Sequence, residues 1–205
     1  PAVPADPVTP RFAEIARAAE AEGLRAAAFA PAPGEEPGEP AAGVLLAADG
    51  ACWAGFQASP EASDGAPDPL DRWSARVAGA LAERFGGRAA LPSDGPPWAP
   101  FLAWALRAEP AWPSRLGPLV HRERGLWASW RAAILFERLE GAPPPPAPGP
   151  RPCDGCAAPC LSACPVQAFA ETPQGPRYDA AACAAHLETP QGAACREGGC
   201  LARHA

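Results

Sequence analysis

Seven of the eight cysteines of this 205-residue chain fall between Cys153 and Cys200. The densest part reads CDGCAAPCLSACP. Its order is C153-x2-C156-x3-C160-x3-C164, with Pro165 directly after the last cysteine. So many thiols in so short a stretch confine the backbone to whatever geometry their shared chemistry requires. That chemistry is a disulfide framework, a zinc site or an iron–sulfur site.

Disulfides suit small secreted chains. Here the first ten residues, PAVPADPVTP, carry neither a basic n-region nor an apolar h-region, so no secretory leader is expected. Pro1 is what removal of an initiator Met leaves. No run approaches the ~18 apolar residues of a membrane span. A cytoplasmic protein with reduced thiols is the expectation. Zinc is the simpler metal, because C-x2-C is its usual hook. Zinc sites draw on two separated pairs, however, and a third and fourth Cys in one run exceed that need. A fourth Cys followed by Pro is a more specific mark. In bacterial ferredoxins three cysteines of such a run hold one [4Fe–4S] cube and the fourth serves the other. Pro165, lacking an N–H, suits the first turn of a helix opened by Cys164.

Composition divides the chain. Between Cys52, alone in the first part, and the cysteine-rich end runs GAPPPPAPGPRP. Proline at this density favours a stiff, extended spacer over helix or central strand. The expected domains are therefore 1–141, a linker at 142–152, and 153–205.

The first part alternates in period. Residues 10–22 read as a helix with Thr9 at the N-cap and Pro10 at N1. LRAAAFAP, from residue 24, and AGVLLAA, residues 42–48, read as strands separated by a PGEEPGEP loop. Residues 68–85 form the clearest helix, capped by Asp68, started by Pro69 and ended by Gly86-Gly87. Leu70, Trp73, Val77, Leu81 and Phe85 make its apolar face. A strand at 88–92, a helix at 100–108 and one or two strands within 116–140 complete an α+β pattern with a modest sheet. Trp98, Trp104 and Trp112 lie in a proline-rich tract and read as packing residues, as does Cys52 beside Trp53. His121 precedes HRERG and reads as part of a solvated turn.

The net charge is −6. Residues 1–141 hold 18 acids against 13 Arg, and residues 142–205 hold 5 acids against 4 Arg. Neither part carries a basic stripe, so no nucleic-acid footprint is expected.

The cysteine run with its downstream partners Cys183, Cys195 and Cys200 resembles the dicluster ferredoxin-like domain of the epoxyqueuosine reductase and corrinoid reductive dehalogenase-like family. The second gap is x3 where that family has x2, a one-residue insertion that a loop accommodates cheaply. The stretches EASDGAPDPLDRWSARV and GPLVHRERGLWASWRAAILF resemble the N-terminal part of the same family. The resemblance implies a nitroreductase-like α/β domain followed by a small bacterial-ferredoxin-like domain. It also implies two [4Fe–4S] clusters. Cys164 then crosses over to join Cys183, Cys195 and Cys200, while Cys153, Cys156 and Cys160 hold the other cube and lack a fourth ligand. His204, Cys52 or a cysteine beyond Ala205, where the family pattern continues into a further Cys-Pro, are the candidates. His186, between Cys183 and Cys195, reads as a surface group or a donor to a cluster sulfur.

In that family the N-terminal domain holds cobalamin against a loop of the form Gly-Leu-Gly-x-x-Gly-Lys. Here the loop reads Gly125-Leu126-Trp127-Ala128-Ser129-Trp130-Arg131. Two glycine positions have become Trp, which narrows or fills the pocket. Trp127, Trp130 and Arg131 are the candidates to line it, for cobalamin, flavin or nothing. No side chain can be assigned a catalytic acid–base role. The expected function is iron–sulfur electron transfer with a redox protein partner. The alternatives are a cobalamin- or flavin-dependent reductase and a non-catalytic cobalamin-handling protein.

Overall fold

A computed structural model describes residues 9–36, 38, 40–147 and 149–205. The residues read for a leader, 1–8, and positions 37, 39 and 148 of the predicted loop and linker lie outside the described residues. In chain order the elements are α1 (Phe12–Ala21), β1 (Leu24–Phe29), β2 (Ala42–Ala48), α2 (Cys52–Gln57), α3 (Pro69–Phe85), β3 (Arg88–Ala90), α4 (Phe101–Ala108), β4 (Ala111–Pro113), β5 (Leu119–His121) and β6 (Trp130–Phe136). There follow α5 (Pro159–Ser162), β7 (Phe169–Thr172), β8 (Gly175–Tyr178), α6 (Ala180–Leu187), α7 (Ala193–Glu197) and α8 (Leu201–His204). The chain is a mixed helix–strand protein whose sheets are antiparallel. Among the described residues no helix is long and apolar enough to cross a membrane.

Two compact units form. The first is Pro1–Glu109 with Ser129–Pro146, and the second is Pro110–Ala128 with Ala147–Ala205. The division differs from a single boundary in the proline run. Residues 110–128 leave the first part and join the cysteine-rich part.

The first unit is built on a four-stranded sheet of order β1-β2-β6-β3. Leu45 pairs with Ala133, and Ala89 with Ile134. Both faces of β2 and β6 are covered, so their apolar runs are continuous rather than alternating. Val44, Leu46, Ala132, Ile134 and Phe136 pack with Ile15 and Ala19 of α1 and Trp73, Val77 and Leu81 of α3. Trp104 of α4 is fully buried and stacks on Phe29 at 5.0 Å between ring centroids. Helix α3 ends in a Schellman turn: Gly86 has φ +68° and the Gly87 N–H donates to the Ala82 carbonyl at 2.8 Å. Gly87 must lack a side chain, because a Cβ there would lie 2.6 Å from Ile134 Cγ2 and 2.5 Å from Phe136 Cε1.

Several local expectations are corrected. Helix α1 starts at Phe12, not Pro10, because the Phe12 N–H donates to Glu140 O and the Glu140 N–H to Pro10 O. That bridge keeps Pro10 and Arg11 extended. Asp68 sits at the start of α3 with φ +52°, and its side chain makes no cap bond; its carbonyl accepts from Asp71 and Arg72 instead. Trp98 is 67% exposed and is not a core residue. His121 is 3% exposed, and its Nδ1 accepts from the N–H groups of Glu123 and Arg124, so it is the buried hinge of its turn rather than a solvated group.

In the second unit the antiparallel pairs β4–β5 and β7–β8 flank four short helices. Residues 149–152 form neither helix nor strand, as proline density dictates. The end of the linker is tied down: Arg122 donates to the Ala147 carbonyl at 3.0 Å, and Arg151 to the Pro113 carbonyl at 3.1 Å. Leu116, Cys164, Ala168 and Ala202 form its buried centre, with Leu126, Cys160, Leu161, Val166, Phe169, Cys183 and Cys200 packed around them.

Candidate metal centre

Three left-handed residues shape the cysteine run. Gly155 has φ +75°, Ala158 +56° and Gln167 +50°. The Ala158 turn opens α5, with Pro159 in its first turn, and places Cys160 on that helix. A non-glycine residue held at positive φ carries strain, and such residues concentrate at functional sites. Cys156 lies just before the turn, where its Sγ accepts the Ala158 N–H at 3.4 Å. Cys164 follows α5 and is buried; its Sγ accepts the Ala168 N–H at 3.3 Å. The expected helix after Cys164 does not form. The Gln167 N–H closes a single turn onto the Cys164 carbonyl at 3.0 Å, and the left-handed Gln167 ends it.

The remaining three sit on the last helices. Cys183 lies on α6, which Asp179 caps by accepting the Ala182 N–H at 2.9 Å. Cys195 lies on α7, which packs on α6, and Cys200 is the N-cap of α8. All eight cysteines are free thiols.

Cys160, Cys183 and Cys200 all pack on the centre that holds Cys164, and two titratable groups there feel their neighbours. Burial pushes the Cys160 thiol up, and the charges of Cys153 and Cys156 push it further in the same direction. Tyr178 is pushed up to about 12, first by its hydrogen bond with Cys183, then by desolvation and by the charges of Cys183, Cys200 and Cys164. Tyr178 stacks on Phe169 across the β7–β8 pair at 4.9 Å. Among the described residues no three Cys, His, Asp or Glu side chains converge closely enough to hold a single metal ion.

The other candidates fall as follows. Cys52 is buried in the core of the first unit beside Phe56 and Trp73, and burial raises its thiol pKa, the behaviour of a small apolar residue. His204 directs Nε2 to the Gly198 carbonyl at 2.8 Å and packs its ring on Trp127. The Nε2 of His186 is buried without a hydrogen-bond partner among the described residues. Trp130 donates from Nε1 to Glu109 at 2.8 Å, beside the Arg25–Glu109 ion pair. Arg131 is bonded to Ser74 at 3.0 Å and paired with Asp71. Trp127 belongs to the second unit, whereas Trp130 and Arg131 belong to the first. The three therefore do not form one lining within either unit.

Sequence reasoning missed the segment 110–128 and Tyr178. Arg203 donates to the Leu126 carbonyl at 2.9 Å across 77 residues of sequence. Arg115 pairs with Glu171 of β7 at 3.7 Å. No local pattern announces contacts of that span. No family model matches the chain, and no curated protein matches it.

Proposed function

We propose that this chain is an iron–sulfur electron-transfer protein with a ferredoxin-like module of the kind found in the epoxyqueuosine reductase and corrinoid reductive dehalogenase-like family. Cys164, Cys183, Cys195 and Cys200 hold one [4Fe–4S] cluster. Cys153, Cys156 and Cys160 hold the other, whose fourth ligand lies outside this set. The observation that carries the reading is the gathering of Cys160, Cys164, Cys183 and Cys200 around one apolar centre, with Cys153 and Cys156 near Cys160. Cys164 shares that centre with residues far downstream as well as with Cys160 of its own run.

When bound, each cluster supplies a one-electron couple. The chain's part is to hold the thiolates and to set that couple. The N–H groups of Ala158 and Ala168 donate to the sulfurs of Cys156 and Cys164, and such bonds favour the more negative, reduced state. Burial of Cys164 keeps water from its sulfur. The partner is a redox protein, and a cytoplasmic location keeps the thiols reduced. A cobalamin or flavin reductase draws no support from Trp130 and Arg131, which are engaged by Glu109, Ser74 and Asp71.

Two single substitutions test the assignment by electron paramagnetic resonance of the reduced protein. Cys164→Ala should abolish the signal that Cys183→Ala also abolishes, and leave the one lost in Cys156→Ala. Loss of the Cys156-dependent signal in Cys164→Ala would overturn it.

A further inference from the structure

Trp127 stands where the sequence pattern suggested a pocket for a ring, yet the structure gives it a different neighbour. Its indole is 46% exposed. The Arg203 guanidinium lies over it, 4.2 Å from the ring centroid, within cation–π range. The His204 ring packs on it at 4.7 Å. The indole and the imidazole meet at the turn before Cys200. A Cβ built on Gly199 would lie 3.0 Å from Trp127 Cη2 and 3.2 Å from His204 Nε2, and Gly199 has φ +89°. Only glycine satisfies both the space and the backbone there. Arg203 is further fixed because its Nε donates to the Leu126 carbonyl at 2.9 Å, and Leu126 packs with Cys164 and Cys200. An Arg on a short surface helix would otherwise extend into solvent, where its charge is screened. Here a stacked ring and a backbone carbonyl hold it on the helix that Cys200 caps.

We propose that Trp127 is a positioning residue: it holds the Arg203 cation on the helix that Cys200 caps and so raises the reduction potential of the cluster held by Cys164, Cys183, Cys195 and Cys200, more than that of the Cys153–Cys156–Cys160 cluster. The inference rests on the electron-transfer reading above. The couple is a one-electron exchange with a redox protein partner, one electron in and one out. A fixed cation favours the reduced cluster, which carries one more negative charge. Trp127 acts through Arg203, so the two contributions are not additive.

The test is a redox titration of the anaerobically purified full chain, followed by electron paramagnetic resonance with the two signals assigned by the cysteine variants. Arg203→Gln should lower the reduced-to-oxidised ratio of the Cys200-dependent signal about fivefold at a fixed potential, a shift of about 40 mV at 59 mV per decade for one electron. Trp127→Ala should shift it in the same direction, and the double variant should move it no further than Arg203→Gln alone. Trp127→Phe and Arg203→Lys, which keep the ring and the charge, should stay near wild type and show that the fold is not the cause. A rise in potential in Trp127→Ala, additive shifts, or equal movement of both signals would overturn the proposal. Wild-type protein without iron and sulfide would instead overturn the electron-transfer reading, and the inference with it.

Discussion

Leu116→Ala probes whether residues 110–128 belong to the cysteine-bearing unit. Leu116 is 2% exposed and sits at the centre of the cluster with Cys164, Ala168 and Ala202. Removing three buried carbon groups at about 0.8 kcal/mol each costs about 2.4 kcal/mol. If the roughly 75 Å³ left behind did not collapse, about 24 cal/mol per Å³ would add up to about 1.8 kcal/mol. The expected loss is therefore about 2.5 to 4 kcal/mol, confined to the second unit. Native-state hydrogen exchange reads it by location. At 1.36 kcal/mol per tenfold, that loss accelerates exchange by about 70-fold to about 900-fold at globally protected amides of the unit. Arg203 and Ala168, whose N–H groups bond to Cys200 O and Cys164 Sγ, report the second unit. The β2–β6 amides of the first unit should not change. Acceleration in β2–β6 with none at Arg203 or Ala168 would refute the placement of 110–128.

Two further perturbations test the first unit. Arg76 grips Glu61 through both carboxylate oxygens, at 2.6 and 3.1 Å, and these hydrogen bonds hold the carboxyl down at about 2 from an ordinary 4.5. A depressed carboxylate contributes stability that is present above its unfolded value and lost as the pH falls. The melting temperature should therefore decline between pH 4.5 and about 2, and Glu61→Gln should flatten that limb; an identical acid limb in the variant would count against the pair. Glu109→Gln removes a buried carboxylate that serves both Arg25 and Trp130, and should cost on the order of 3 kcal/mol in urea unfolding of the first unit. An unchanged midpoint would show that the charge is not needed there.

Much of the first unit was legible in the sequence, because its elements are periodic. Residues 42–48 are an apolar run bounded by turn residues, and α3 spaces its apolar positions by three and four between Pro69 and Gly86. The misreadings have tertiary causes. Helix α1 yields its first residues to Glu140, and α2 is a six-residue turn whose only signal is the burial of Cys52 and Phe56. The candidate centre divides in the same way. The cysteines and their spacing are local, and they were legible. The wall that packs on them, Leu116 and Leu126, lies before the proline run, which reads as a boundary although Arg122 and Arg151 fasten it across that run. Hydrogen bonds that span the run leave no periodic trace.

If these thiols bind iron–sulfur clusters, protein purified without oxygen holds iron and acid-labile sulfide in equal amounts, about four of each per cluster and up to about eight per chain, with no zinc. Elemental and sulfide analysis of the purified chain reads all three. Zinc in place of iron and sulfide, or a chain free of both iron and sulfide, would contradict the cluster assignment.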